Sequence, residues 1–314
     1  MMKPIPSWLE VHPEVAAALR QGRPVVALES SLIAHGLPWP HNLKAARMAE
    51  GAVRGQSAVP ATIAVVQGRP TVGLSDLSLE DLADPDRPVL KLSRRDLPAA
   101  IALGQTGGTT VAATMYLAHC AGIRVFATGG IGGVHRSLTP GGPDSGDVSA
   151  DLHELSRTAV VVVCSGAKSI LDVRRTLEML ETLSVPVIGF ATDEFPGFYL
   201  RSSGQPVPLR VDKLDQASAM LAIHWHLGGG GALLAQPVPA EVALAPAEWE
   251  AALATAEARA AEQGVRGARL TPFLLQHLAE VTNEKTLRAN ISLVVANARL
   301  AARLATELTD KMYQ

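Results

Sequence analysis

The sequence predicts an α/β protein whose largely parallel sheet is covered on both faces, and three observations carry that prediction. Val160 to Val163 are four consecutive valines, a run too apolar for a strand with one solvated face. Short apolar runs bounded by Gly, Pro and Ser alternate with helically spaced segments from Val25 to Leu227. The last third, from Trp249 onward, is alanine- and leucine-rich with helical spacing, and no polar linker separates it from the rest. Residues 1–314 are therefore read as a single domain.

Charge and cysteine content narrow the function classes. A net charge of −2 with scattered basic residues leaves no footprint for nucleic acid, so a nucleotide ligand is expected to be small. Cys120 and Cys164 sit in apolar segments and read as reduced, buried thiols. The start, MMKPIPSWLEVHPEV, has no apolar leader core, and no uninterrupted apolar stretch of about eighteen residues exists, so no membrane partner and a cytoplasmic setting are expected.

In chain order, Glu14 to Arg20 reads as a helix and Val25 to Leu28 as a strand that delivers Glu29, expected as an exposed carboxylate at the sheet rim. SSLIAHGLPWPHNL is expected to be irregular, and Leu43 to Val53 helical. Thr62 to Val66 and Thr71 to Leu74 flank a Gly68-Arg69-Pro70 turn and predict a β-hairpin, with a short helix capped at Ser78 after it. Val89 to Leu92 predicts a strand carrying Lys91, with Ser93 capping a helix over Arg94 to Leu103. GQTGGTT before a helix of small residues fits either backbone N–H groups presented to an anion or glycines that permit close helix packing. GGIGGVHR after the Ile123 to Ala127 strand lacks dinucleotide-binding spacing, and His135 and Arg136 there suit either an anion or the loop's own structure. Asp147 reads as an N-cap for a helix through Leu155 or, with Ser149 and Asp151, as oxygen donors for a hard cation.

The valine strand runs into Ser165-Gly166, and Ile170 to Leu183 has helical spacing, so Lys168 is expected at a strand-to-helix turn. There the helix dipole and partial burial favour the neutral amine, the form that adds to an aldehyde, against the plainer reading of a phosphate contact. Val187 to Ala191 predicts a strand, and the aromatics of TDEFPGFYLR suit either a pocket for a planar base or edge packing. Gln216 to Leu227, Trp249 to Gln263, Thr271 to Val281 and Leu287 to Leu308 are expected helices; Asn290 in the last is read as a satisfied core amide or a phosphate contact.

Taken together, ALESSLIAHGLPWPHN, KLSRRDLP, GQTGGTTVAATM, GGIGGVHR, DVSADL and CSGAKSI, in that order and followed by TPFLL and ANISLV, resemble the pseudouridine-5′-phosphate glycosidase (indigoidine synthase A-like) family over nearly the whole chain. The resemblance implies a three-layer α/β/α sandwich around a largely parallel mixed sheet, a homotrimer, and reversible cleavage of pseudouridine 5′-phosphate to uracil and ribose 5-phosphate. By motif it implies Lys168 as covalent nucleophile, Glu29 as proton donor, Asp147 as ligand to one Mn²⁺ per subunit, and Lys91, Val111, Ser149, Ala150 and Asp151 as substrate contacts. Thr128, His135 and Asn290 remain as further phosphate candidates, and the Gly/Pro-rich TPGGPDSG stretch, which departs from the family's loop, leaves Asp144 as a second metal candidate. Alternatives are a Schiff-base aldolase for another sugar phosphate and a catalytically silent nucleotide-binding protein.

Overall fold

The structure is a computed structural model and describes residues 5–136, 146–265 and 270–312, with backbone only for 270–272 and 310–312. The chain begins with β1 (Glu10–Val11) and α1 (Pro13–Arg20), a helix with proline at its first position, where the missing N–H costs no hydrogen bond. Strand β2 (Val25–Glu29) is buried throughout. Residues 32–36, expected to be irregular, form a single π-helical turn before α2 (His41–Arg54). The predicted hairpin forms from β3 (Val59–Val66) and β4 (Arg69–Val72), but Val66 pairs with Arg69. Its turn is therefore Gln67-Gly68, at φ 49° and 77°, the positive pair that a tight hairpin requires.

Helix α3 (Asp76–Ala83) is capped by Ser75, three residues before the expected Ser78. After β5 (Leu90–Leu92), Ser93 and Asp96 form a reciprocal capping box on a 3₁₀ turn at 94–96, which precedes the short α4 (Leu97–Ala102). The chain then gives β6 (Gly107–Thr109), α5 (Val111–Ala121), β7 (Val125–Ala127), β8 (Val134–His135) and α6 (Ala150–Arg157). The valine strand is β9 (Val161–Cys164), followed by β10 (Leu171–Asp172), α7 (Val173–Thr182), β11 (Val187–Phe190), β12 (Leu209–Val211) and α8 (Leu214–His226). Strand β13 (Ala232–Ala235) and helices α9 (Pro246–Glu262), α10 (Leu270–Val281) and α11 (Lys285–Met312) complete it.

Strands β3, β2, β7, β9, β13, β11 and β12 lie side by side in that order, all parallel, while β4 and β6 run antiparallel to β3. The valines of β9 pair with β7 on one side and β13 on the other and are fully buried, as their composition requires. Helix α11 lies over β2, β7 and β9 and packs on α2 and α8; α5 packs on β2, β3 and α6. The sheet is thus covered by two helical groups, an α/β/α arrangement. Cys120 and Cys164 are free thiols, and burial pushes Cys164 up to about 12, so it is inert at neutral pH. Among the described residues no helix is long and apolar enough to cross a membrane.

One element differs from expectation where it matters. The helix after the valine strand begins at Val173, capped by Asp172, not at Ile170. Leu171 and Asp172 instead pair antiparallel with His135 and Val134. Lys168 therefore lies in an irregular turn five residues before the helix, outside the reach of its dipole, which acts within the first turn.

Candidate active site

The carboxyl ends of β2, β5, β7 and β9 open on one crevice, the usual ligand position in a parallel sheet. Leu28 of β2 pairs with Ala127 of β7, so Glu29, the last residue of β2, and Thr128, the first past β7, lie side by side. The Thr128 hydroxyl donates to Glu29 Oε1 and the Ser31 hydroxyl to Oε2. Glu29 is only 8% exposed, which corrects the expectation of an open rim carboxylate. Its oxygens are oriented by hydroxyls from two different strand ends.

Lys168 is half-buried, its turn fixed by backbone bonds from Lys168 N to the Ile131 carbonyl (3.0 Å) and from Leu171 N to the Lys168 carbonyl (2.9 Å). Gly166 in this turn has φ +87°, and a Cβ there would stand 2.1 Å from the Pro196 carbonyl oxygen, so only glycine fits. Arg136 donates from Nε to the Leu171 carbonyl at 3.0 Å and from Nη2 to the Ser169 carbonyl at 3.4 Å, which assigns it to the loop's structure. Lys91 faces the same crevice. Its side chain remains accessible there, yet the surrounding protein disfavours the ammonium and the Lys168 charge repels it, holding Lys91 below the usual lysine range against the opposing pull of Glu29 and Asp151.

Two cavities meet at these amines. The first is lined by Glu29, Ser31, His35, Gly129, Gly130, Phe198 and Asn290; the second by Thr110, Val111, His135, Asp147, Ser149, Ala150 and Asp151; Lys91 and Lys168 line both. All eight residues assigned from sequence thus fall on one connected site. Val111 begins α5 and Ala150 begins α6, so the first turns of two helices border the second cavity beside Lys91, a combination suited to a phosphate. Ser149, not Asp147, caps α6, accepting from Asp151 N at 3.2 Å. Asp151 is spent on structure: Oδ1 accepts from Ala112 N at 2.9 Å and Oδ2 from Gly132 N at 2.8 Å, which ties α5, α6 and the glycine loop together.

Asp147 projects a carboxylate 54% exposed at this cavity, with His135 Nε2 3.8 Å from its Oδ2. No group of three or more His, Cys, Asp or Glu residues converges among the described residues. One accessible carboxylate with water filling the remaining positions suits a weakly held hard cation, so the donor set fits Mn²⁺ or Mg²⁺ bound mainly through water. Asp144 lies outside the described residues.

Several supporting residues were not legible as site residues. Phe198 lies 97% buried against the first cavity, held by an edge contact to Tyr199 (4.7 Å between centroids), and a Cβ on Gly130 would meet its ring at 2.6 Å. Asn297 of α11, fully buried, donates from Nδ2 to the Thr128 carbonyl (2.8 Å) and the Gly129 carbonyl (3.3 Å), and its Oδ1 accepts from Ser165 Oγ (3.3 Å). Its Oδ1 also accepts from Gln236 Nε2 (2.9 Å), so one amide joins the ends of β7, β9 and β13. On α6, the buried Glu154 receives Arg94 (2.7 Å) and Arg157 (2.7 Å), fixing the segment that follows Lys91.

Residues 14–307 match the family model described as indigoidine synthase A like protein. Named pseudouridine-5′-phosphate glycosidase are relatives from Caldanaerobacter subterraneus (49% identical, covering 98% of each chain), Herpetosiphon aurantiacus (53%, covering 96% of this chain and 98% of that one) and Deinococcus radiodurans (53%, covering 96% and 95%). Among solved structures, a prealnumycin C-glycosynthase in complex with ribulose 5-phosphate superposes with a TM-score of 0.89 at 41% identity, covering 98% of this chain and 99% of that one. An indigoidine synthase A-like protein from Thermotoga maritima gives 0.86 at 35%, covering 98% and 100%. The chain belongs to the indigoidine synthase A-like family.

Proposed function

We propose that this protein cleaves the carbon–carbon glycosidic bond of pseudouridine 5′-phosphate reversibly, giving uracil and ribose 5-phosphate, and that it does so through an imine on Lys168. The observation that carries this reading is the convergence of Glu29, Lys91 and Lys168 on one crevice, between a cavity lined by glycines and an aromatic ring and a second cavity bordered by two helix starts. The relatives' shared name supports the substrate, and the solved C-glycosynthase supports a sugar phosphate ligand.

Uracil C5 bonded to ribose C1′ is a poor leaving group without an electron sink. Glu29, as the carboxylic acid, protonates the ring oxygen O4′ while the C1′–O4′ bond breaks, the uracil supplying the electron pair and losing its N1 proton. Lys168 then adds to C1′ through the lone pair of its amine, which restores the ring's bonding. Protonation of C5 allows the C1′–C5 bond to break, its electron pair staying with uracil while the nitrogen lone pair forms C1′=N. Water adds to that imine and releases the amine and open-chain ribose 5-phosphate. Thr128 and Ser31 hold Glu29 at one orientation through this sequence.

The depressed Lys91, together with the first turns of α5 and α6, binds the phosphate. A divalent cation at Asp147, when bound, supplies positive charge that orients the substrate. A homotrimer working in the cytoplasm as one domain per chain belongs to the same proposal, and sedimentation measures the assembly. The activity is tested by following the ultraviolet spectrum of pseudouridine 5′-phosphate with the protein and Mn²⁺. Conversion to free uracil is expected; an unchanged spectrum with folded protein overturns the reading. A Schiff-base aldolase for another sugar phosphate would leave that spectrum unchanged while still forming an imine.

A further inference from the structure

The second glycine pair of GGIGGVHR is packed too closely for any side chain. A Cβ on Gly132 would stand 2.2 Å from Ser149 Oγ and 2.8 Å from Asp151 Oδ2, and one on Gly133 would stand 2.3 Å from Thr176 Oγ1. These distances fall well inside the about 3.5–4.0 Å of an ordinary non-bonded contact, so the loop after β7 is gripped by the start of α6 and by α7. The Thr176 side chain is fully buried, and its hydroxyl serves twice: it donates to the Asp172 carbonyl at 2.6 Å and accepts from Val134 N at 3.0 Å. The first bond is the usual one of a threonine within a helix, to the carbonyl four residues earlier. The second reaches out of the helix to the backbone of β8.

The loop that Thr176 holds runs past every reacting group of the site. It leaves β7 at Thr128, whose hydroxyl orients Glu29. Its Gly129 carbonyl then accepts from Ser165 N at 2.9 Å, Ile131 N donates to the Gly166 carbonyl at 3.0 Å, and the Ile131 carbonyl accepts from Lys168 N at 3.0 Å. Beyond Lys168, Val134 and His135 pair with Asp172 and Leu171, and His135 N binds the Asp147 carbonyl at 3.0 Å. The loops after β7 and β9 are thus laced together on both sides of the lysine, and Thr176 fastens the far end of the lacing to α7. Thr176 itself lines neither cavity.

We propose that Thr176 is a positioning residue for the covalent step: its hydroxyl, seated against Gly133, fixes the loop whose Ile131 carbonyl holds Lys168, and so sets where the lysine stands relative to Glu29 and the sugar. This inference rests on the functional reading above, in which Lys168 is the nucleophile.

The test compares the parent with Thr176→Val, which keeps the volume and removes the hydroxyl, and with Thr176→Ser, which keeps the hydroxyl and removes a methyl. For each, steady-state cleavage of pseudouridine 5′-phosphate and the rate of borohydride trapping with ribose 5-phosphate are measured. Thr176→Val should lower kcat and the trapping rate together by roughly ten- to a hundredfold, the cost of a reacting group misplaced by about 1 Å. KM should move by less than about threefold, because Lys91 on β5 and the first turn of α5 bind the phosphate from other elements. Thr176→Ser should restore both rates to within about threefold of the parent. A folded Thr176→Val protein with both rates inside that range overturns the proposal. So does a Thr176→Ser loss as large as that of Thr176→Val, since the hydroxyl is then not the cause. If the valine methyl pressed on Val134 N prevents folding, Thr176→Ala removes the same two bonds without crowding and is read against the same outcomes. A parent that neither cleaves pseudouridine 5′-phosphate nor is trapped is a different failure, visible before any variant is made: it removes the functional reading and this inference with it.

Discussion

Replacing Asn297 by alanine perturbs the site without touching it. The amide lies on α11 and binds the backbone after β7, the Ser165 hydroxyl after β9 and Gln236 after β13. Truncation leaves the Gly129 carbonyl with its bond from Ser165 N (2.9 Å), but strips the Asn297 partner from the Thr128 carbonyl, Ser165 Oγ and Gln236 Nε2. At about 1 kcal/mol for each of the two buried groups left short, with the part-buried Gln236 adding less, the loss is about 2 kcal/mol. Asn297→Asp keeps the volume but turns an oxygen toward two carbonyls, so its loss should be at least as large. Because Thr128 also orients Glu29, turnover should fall with stability, by as much as ~10² if the carboxylate shifts by about 1 Å. Urea unfolding with parallel kinetics measures both. An Asn297→Ala protein within about 0.5 kcal/mol of the parent, the usual range for featureless surface changes, would refute the view that this amide fastens the strand ends together.

Further outcomes concern Glu29, Lys91 and Asp147. Glu29→Gln should keep fold and substrate affinity but lose about 10²- to 10⁴-fold in turnover, as expected for a missing general acid; a loss under about tenfold demotes Glu29 to binding. Lys91, held below the usual lysine range, leaves the unfolded chain binding more protons between its folded pKa and the usual value of 10.5, so its burden on stability is full below the folded pKa and fades as pH rises through that window. Lys91→Met should accordingly unfold later than the parent at pH values below the folded pKa, with the gap narrowing as pH rises toward 10.5, while KM for the sugar phosphate rises; a pH-independent gap contradicts this. Chelation should silence the enzyme reversibly if Asp147 and water hold the cation, and activity indifferent to EDTA removes the metal from the account.

The sequence made the sheet legible because four valines leave a strand no solvated face, and β9 is buried between two parallel neighbours. It misplaced the start of α7 because Ile170 and Leu171 satisfy helical spacing equally well when Leu171 is paired with His135 in a two-residue ladder, a contact 36 residues distant that periodicity does not carry. The residues that line the crevice were named from motifs, but not their settings. Glu29 is buried through Thr128, 99 residues away, and that adjacency exists only once β2 and β7 pair. Asn290 drew attention as an amide in an apolar helix; Asn297, seven residues on and so on the same face, carries the identical signal and holds the strand ends.

The covalent step is the centre of the account, and borohydride trapping tests it most directly. With ribose 5-phosphate the Lys168 amine attacks the open-chain aldehyde, water leaves, and borohydride reduces the resulting imine to a stable secondary amine. Mass spectrometry should find the adduct on the peptide containing Lys168 and on no other, with Lys91→Ala still trapped at high sugar phosphate and Lys168→Ala not at all. An adduct on Lys91 instead, or a Lys168→Arg protein that still cleaves pseudouridine 5′-phosphate near the parent rate, would contradict the mechanism and leave Lys168 an electrostatic contact.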